Sequence, residues 1–316
     1  MSSVVCTLFE GHFHHGVAAL ANSLYNYGYR GVIYAGYRGP LPTWAGNAID
    51  CSTSQWPGAS ILKVTDDFQI LFLPINNEYH LTNYKPNFML GLWESFANDS
   101  NAIAYFDPDI VIKCKWDFFE TWMGHGVALV HESISNDMPP THPFRKEWEK
   151  VIKKANRQIT RQMHSYINGG FCGVSKENKE FLKDWIEITN AGIKYFKLTP
   201  GQWKHSFDRT YIFYAQDQDA LNITAMCSNS PVSEIGPEGM DFIAGGFTMS
   251  HALGAPKPWK KQYIRSVLMG NAPSTPDKNF WKNTLGPIKT FGNNRIKYKK
   301  LTITLASFIA RFYRRA

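Results

Sequence analysis

Apolar residues fall in two rhythms along this chain. Short continuous runs alternate with longer stretches in which apolar positions recur every three to four residues. VVCTLF (4–9), GVIYAGY (31–37), QILFLPI (69–75), AIAYF (102–106) and VALVH (127–131) have the first rhythm and predict strands buried on both faces. GVAALANSLYNYG (16–28), ending at a glycine, and KPNFMLGLWESFAN (85–98) have the second and predict helices. The charged stretch 144–164 predicts a surface helix, YINGGFCGVS (166–175) a strand interrupted by glycines, and 176–192 a further helix. Strand, helix and strand in succession predict an α/β fold with a mainly parallel sheet flanked by helices. No boundary interrupts this pattern before about residue 260, where Pro, Gly and Asn begin to punctuate the chain. The expected division is a body, residues 1–265, and an extension, 266–316, that includes a C-terminal helix.

Charge changes this picture at one end. The 316 residues carry a formal net charge of +8, yet residues 278–316 hold ten Lys and Arg and no acid. The preceding 277 residues hold 24 basic and 26 acidic side chains, a net of −2. A basic tail on a slightly acidic body argues against a nucleic-acid partner, which would call for a basic folded face. In RIKYKKLTITLASFIARFYRR (295–315), Leu301, Leu305, Phe308, Ile309 and Phe312 share helical spacing between basic clusters. That pattern predicts a helix lying on an anionic membrane surface; the alternative is a helix docked on the body. Five scattered cysteines without a CxxC pair, an N-terminus unlike a signal peptide and no run near the ~20 residues of a membrane span predict a cytoplasmic protein, peripheral at most on the inner face of a membrane.

Candidate chemistry begins at FDPD (106–109). Asp107 and Asp109 stand where a buried strand ends, and ligands of open α/β sheets bind beyond such ends. Two carboxylates there can share a hard divalent cation. The motif alone says little, because D-x-D arises about 0.6 times by chance in a chain of this composition. A turn is the bland alternative, since Asp before Pro favours one. An apolar strand followed by D-x-D-x-V also opens haloacid-dehalogenase-like phosphatases, with the first Asp as nucleophile; about a third of the chain precedes it here, and no partner set follows. HALGAPKPW (251–259) is more specific. His251 offers a nitrogen to a Mn²⁺- or Mg²⁺-like ion, Gly254 lets backbone approach phosphate, and Lys257 can place a point charge on a diphosphate.

FDPD, NGG (168–170), DQDALN (217–222) and HALGAPKPW occur in this order in the GT-A-fold glycosyltransferases, and the chain most closely resembles glycosyltransferase family 8 over residues 3–260. The resemblance implies a GT-A fold and transfer of a hexose, with retention, from a nucleotide-diphosphate sugar, UDP-linked by expectation. It implies Asp107, Asp109 and His251 as ligands of Mn²⁺ or Mg²⁺, and Lys257 and Gly254 at the diphosphate. Asn168, Gly169 and Gly170 would line the sugar pocket, Lys85 would reach the donor, and Thr7 and Phe106 would lie beside it. Asp217 would bind donor hydroxyls, Gln218 would face the anomeric carbon opposite the leaving group, and Asp219 would be structural or stabilise positive charge. The acceptor would be a saccharide or lipid-linked glycan, as in surface polysaccharide or lipopolysaccharide synthesis. The first βα loop, EGHFHHG, departs from the family by lacking its Asn/Asp-plus-Tyr pattern. His12, His14 and His15 are expected there as solvated residues, with substrate contact the alternative. An inverting GT-A enzyme with Asp219 as base, and a domain that only binds nucleotide sugars, are the remaining alternatives.

Overall fold

Four of the apolar runs become neighbours in one sheet. A computed structural model describes residues 3–133, 137–203 and 208–312. In it β1 (Ser3–Glu10) pairs in parallel with β2 (Gly31–Arg38) on one side and β6 (Ala102–Phe106) on the other. β2 pairs in parallel with β5 (Phe68–Pro74), and α1 (His14–Asn26) makes the β1–β2 crossover. Val4, Cys6 and Leu8 enter one apolar cluster and Val5 and Phe9 another, which explains the unbroken apolar run of β1.

The outer strands escaped the pattern. β3 (Ile49–Asp50) and β4 (Ser60–Thr65) extend the sheet beyond β5 by antiparallel pairing. β3 is two exposed residues and β4 is mostly half-exposed, so no continuous apolar run announces them. On the other side β9 (Phe171–Ser175) runs antiparallel between β6 and β8 (Val127–Val130), and β10 (Val232–Ile235) closes the edge. The order of the nine-stranded, mainly parallel sheet is β10-β8-β9-β6-β1-β2-β5-β4-β3. Helices α2 (Lys85–Trp93), α3 (Trp116–Gly124), α4 (Pro143–Lys154), α5 (Glu180–Phe196) and α6 (Gln216–Cys227) flank it.

Three elements are shorter than expected. The helix expected over 85–98 ends at Trp93. The helix of 144–164 ends at Lys154, where Asn156 turns left-handed at φ 55°. The chain then runs as a strap along α5 and α6, held by Arg157 on Glu187 and by the Thr160 amide donating to the Met226 carbonyl. The strand of 166–175 is regular only from Phe171; residues 166–170 leave it toward the strand ends.

A two-stranded sheet lies apart, β7 (Ile110–Ile112) antiparallel to β11 (Met249–His251). Past it come α7 (Tyr263–Leu268), α8 (Thr275–Lys282) and α9 (Asn293–Phe312). Trp259, Tyr263, Phe280, Trp281, Ile296 and Ile303 form a third apolar cluster with Ala19 and Val111, so the extension packs on α1 and β7. Among the described residues, no helix is long and apolar enough to cross a membrane, and all five cysteines are free.

Candidate active site

The β7–β11 pair joins motifs that are far apart in sequence. After β6 the DPD turn closes with the Ile110 amide donating to the Asp107 carbonyl at 3.1 Å. In the ladder His251 lies opposite Ile110, and the Ala252 amide donates to the Asp109 carbonyl at 3.1 Å. His251 Nε2 therefore sits 3.2 Å from Asp109 Oδ1 and 3.9 Å from Asp107 Oδ2. Ligand atoms of all three residues lie within 4.8 Å of one another. Two carboxylates and an imidazole at this spacing can together hold a metal ion. Gly170 keeps the histidine in place: a Cβ there would lie 2.5 Å from His251 Cε1.

Lys257 reaches the same centre. Its ammonium donates to Asp109 Oδ2 at 2.5 Å and to the Ala252 carbonyl at 2.8 Å. Burial would raise the Asp109 carboxyl, but His251 and Lys257 hold it well below the ordinary range. Gly254 is left-handed at φ 73°, a conformation that favours glycine in this loop. Trp259 turns the loop back onto the first βα connection, its indole donating to His12 Nδ1 at 2.9 Å.

Lys85 joins this centre to its neighbour. It is 1% exposed, and its ammonium donates to Asp217 Oδ2 at 2.8 Å and the Gly169 carbonyl at 2.7 Å, with Asp107 Oδ1 at 3.2 Å. Burial works against its charge, but Asp107 and Asp217 more than offset this and hold its pKa above the ordinary lysine value.

DQDALN and NGG lock together across that lysine. Asn222 accepts from the Ile167 amide and donates to the Ile167 carbonyl, at 2.8 and 2.9 Å, pinning the strand-end segment to α6. Asn168 Oδ1 accepts from the Gly170 amide, whose carbonyl accepts from the Asp107 amide. Gln218 Oε1 accepts from the Gly169 amide at 2.8 Å. Asp219 is buried and accepts from the Tyr166 hydroxyl and the Ala215 amide; burial nevertheless pushes its carboxyl up to about 8. It therefore shapes the start of α6.

Glu132 escaped sequence reasoning. It follows β8 in an unremarkable HES, yet it is buried, and its Oε2 accepts from Asn168 Nδ2 at 2.6 Å and from Gln218 Nε2 at 3.3 Å. Its only sequence signal is a lone carboxylate just past an apolar strand. Phe106 ends β6 directly before Asp107, and Thr7 lies within β1. Both are fully buried, the Phe106 ring with Trp116, Phe119 and Phe171. The histidines of EGHFHHG are not free in solvent. His12 and His14 accept from the indoles of Trp259 and Trp44, and His15 stacks on Phe291.

Searches with the sequence find no matching protein-family model and no matching curated protein. The fold does have solved counterparts. The bifunctional glycosyltransferase WbbM superposes with a TM-score of 0.54 at 14% identity, over 94% of this chain and 51% of its own. The glycosyltransferase GlyE of Streptococcus pneumoniae gives 0.51 at 12% identity, over 96% and 64%. An active-site mutant of LgtC gives 0.51 at 12% identity, over 92% and 98%. The chain thus spans about half of WbbM and under two thirds of GlyE. It has the GT-A glycosyltransferase fold.

Proposed function

We propose that the chain is a metal-dependent glycosyltransferase that moves a hexose from a nucleotide-diphosphate sugar, UDP-linked by preference, to a saccharide or glycolipid acceptor with retention. The observation that carries this reading is the meeting of Asp107, Asp109, His251 and Lys257 beyond the strand ends of a GT-A sheet. When bound there, a Mn²⁺ or Mg²⁺ ion supplies charge neutralisation for the leaving diphosphate. Lys257 adds its own positive charge to that diphosphate, and the backbone at Gly254 closes on it. Asp217, held by Lys85, takes donor hydroxyls at the lip formed by Gly169.

Glu132 holds the amide of Gln218 with its oxygen toward Gly169, and a carboxylate accepting from the amide nitrogen raises the negative charge on that oxygen. Such an oxygen can stabilise an oxocarbenium-like sugar. In the step itself the bond between anomeric carbon and diphosphate oxygen breaks, and the diphosphate keeps the electron pair. The acceptor oxygen bonds to the same face, and its proton passes to the departing phosphate oxygen. Polysaccharide or lipopolysaccharide synthesis is the setting this chemistry suits, and residues 1–265 as transferase domain with 266–316 as basic extension complete the proposal.

A panel of nucleotide sugars with Mn²⁺, scored by thermal shift and donor hydrolysis, tests this. The expected result is one preferred donor whose hydrolysis needs both Mn²⁺ and Asp109. Phosphate release from simple monoesters through a phospho-aspartate would instead point to a phosphatase. Donor binding without hydrolysis or transfer would leave only a binding domain.

A further inference from the structure

The extension contains a site that donor chemistry does not use. Between α8 and α9 runs a groove of about 580 Å³ with Lys278, Lys282, Lys300 and Arg311 along its rim. None of these four has a carboxylate partner among the described residues, and no acidic residue follows Asp277 in the sequence. Unpaired cations lining one concavity suit an anion. The floor is apolar, made by Trp281 and Ile303. Ser307 also lines the groove, and its hydroxyl is buried with no hydrogen-bond partner. A buried hydroxyl without a partner is costly and marks a place for a polar ligand atom.

The surface beside the groove fits the same ligand. One face of α9 docks on the body through Ile296, Ile303 and Ala306. The opposite face exposes Leu301 (58%), Leu305 (47%), Phe308 (58%) and Phe312 (76%) to solvent. Phe308 belongs to both stripe and groove, so the apolar and cationic surfaces are continuous. Arg314 and Arg315, in the basic cluster read from the sequence, lie outside the described residues.

We propose that the α8–α9 groove binds the headgroup phosphate of an anionic membrane lipid while the exposed stripe of α9 enters the acyl layer. Lys278, Lys282, Lys300 and Arg311 meet the phosphate, Ser307 donates to one of its oxygens, and Leu305 and Phe308 reach below it. Helix α8 also packs against β7 and β11, the strands carrying the Asp109–His251 junction. A lipid held there keeps the site close to the membrane surface. The inference is independent of the glycosyltransferase reading, because vesicle binding is measured without turnover.

The test is co-sedimentation of the full chain with vesicles of three parts phosphatidylcholine to one part phosphatidylglycerol, and with phosphatidylcholine alone. The chain should bind the mixed vesicles only, and less as salt rises. Lys278→Ala with Lys282→Ala, both exposed positions, should weaken binding roughly 25-fold, about fivefold per lysine. Leu305→Ser with Phe308→Ser should weaken it at full lysine charge, while Lys278→Arg with Lys282→Arg retains it. All variants should melt with the wild type. Equal binding to neutral vesicles, no vesicle binding, or a lysine pair variant that binds as wild type would overturn the proposal. So would release by millimolar inorganic phosphate, which would mark a site for the free anion.

Discussion

The two halves of the candidate site are satisfied in different ways. Around Asp107, Asp109 and His251, three ligand-type groups crowd together from two strand ends, and His251 Nδ1 is buried without a partner. Around Glu132, Asn168 and Gln218, amides and carboxylate satisfy one another: Asn168 and Gln218 donate to Glu132, and backbone amides of the NGG segment donate back to both side chains. The first half keeps a ligand-type nitrogen unpaired; the second closes its own hydrogen bonds without a ligand. Lys85 lies between them, its ammonium against Asp107 of the first half and against Asp217, the neighbour of Gln218, beside the second. Preorganisation of polar groups and recruitment of a charge are thus divided between neighbouring loops of one sheet.

Lys85→Met should break this comparison hardest. It leaves buried Asp217 and half-buried Asp107 without their shared cation, which should cost about 3 kcal/mol by denaturant unfolding; a loss below about 1 kcal/mol would mean the two halves are not coupled through it. Asp109→Asn should leave the amide network intact yet lower metal-dependent donor hydrolysis about 10²- to 10³-fold. Glu132→Gln should do the reverse. It replaces charged hydrogen bonds worth about 1.5–3 kcal/mol, so kcat should fall roughly 10- to 100-fold with Mn²⁺ affinity unchanged. A change in KM alone would assign Glu132 to ground-state binding.

The smallest effect is one of pH. Burial, with His14 second, lowers His15 from 6.5 to about 4. Between those values the unfolded chain binds more protons than the folded one, so this contribution to stability is present above pH 6.5 and lost as pH falls through 4. The melting temperature should therefore drop over that window, and His15→Phe should flatten the drop.

Sequence order alone makes much of this legible. Carboxylates at the end of AIAYF and the spaced residues of HALGAPKPW are recognisable because strand ends and glycine-bearing loops constrain residue type. Glu132 is not, since its role depends on Asn168 and Gln218 arriving from elsewhere in the fold. The end of α4 was hidden for a related reason: the strap after Asn156 keeps helix-like composition, and its ion pairs and backbone bonds to α5 and α6 hold it extended. The histidines of the first βα loop look solvated in sequence, because only the folded chain brings Trp44, Trp259 and Phe291 to them.

The most direct test is a Mn²⁺ titration followed by electron paramagnetic resonance, with UDP present, on the wild type, Asp109→Asn and His251→Ala. One bound ion per chain is predicted for the wild type, with each variant weakening it by more than about 100-fold, beyond what outer-shell changes produce. The same affinity in all three would contradict a cation held by Asp107, Asp109 and His251.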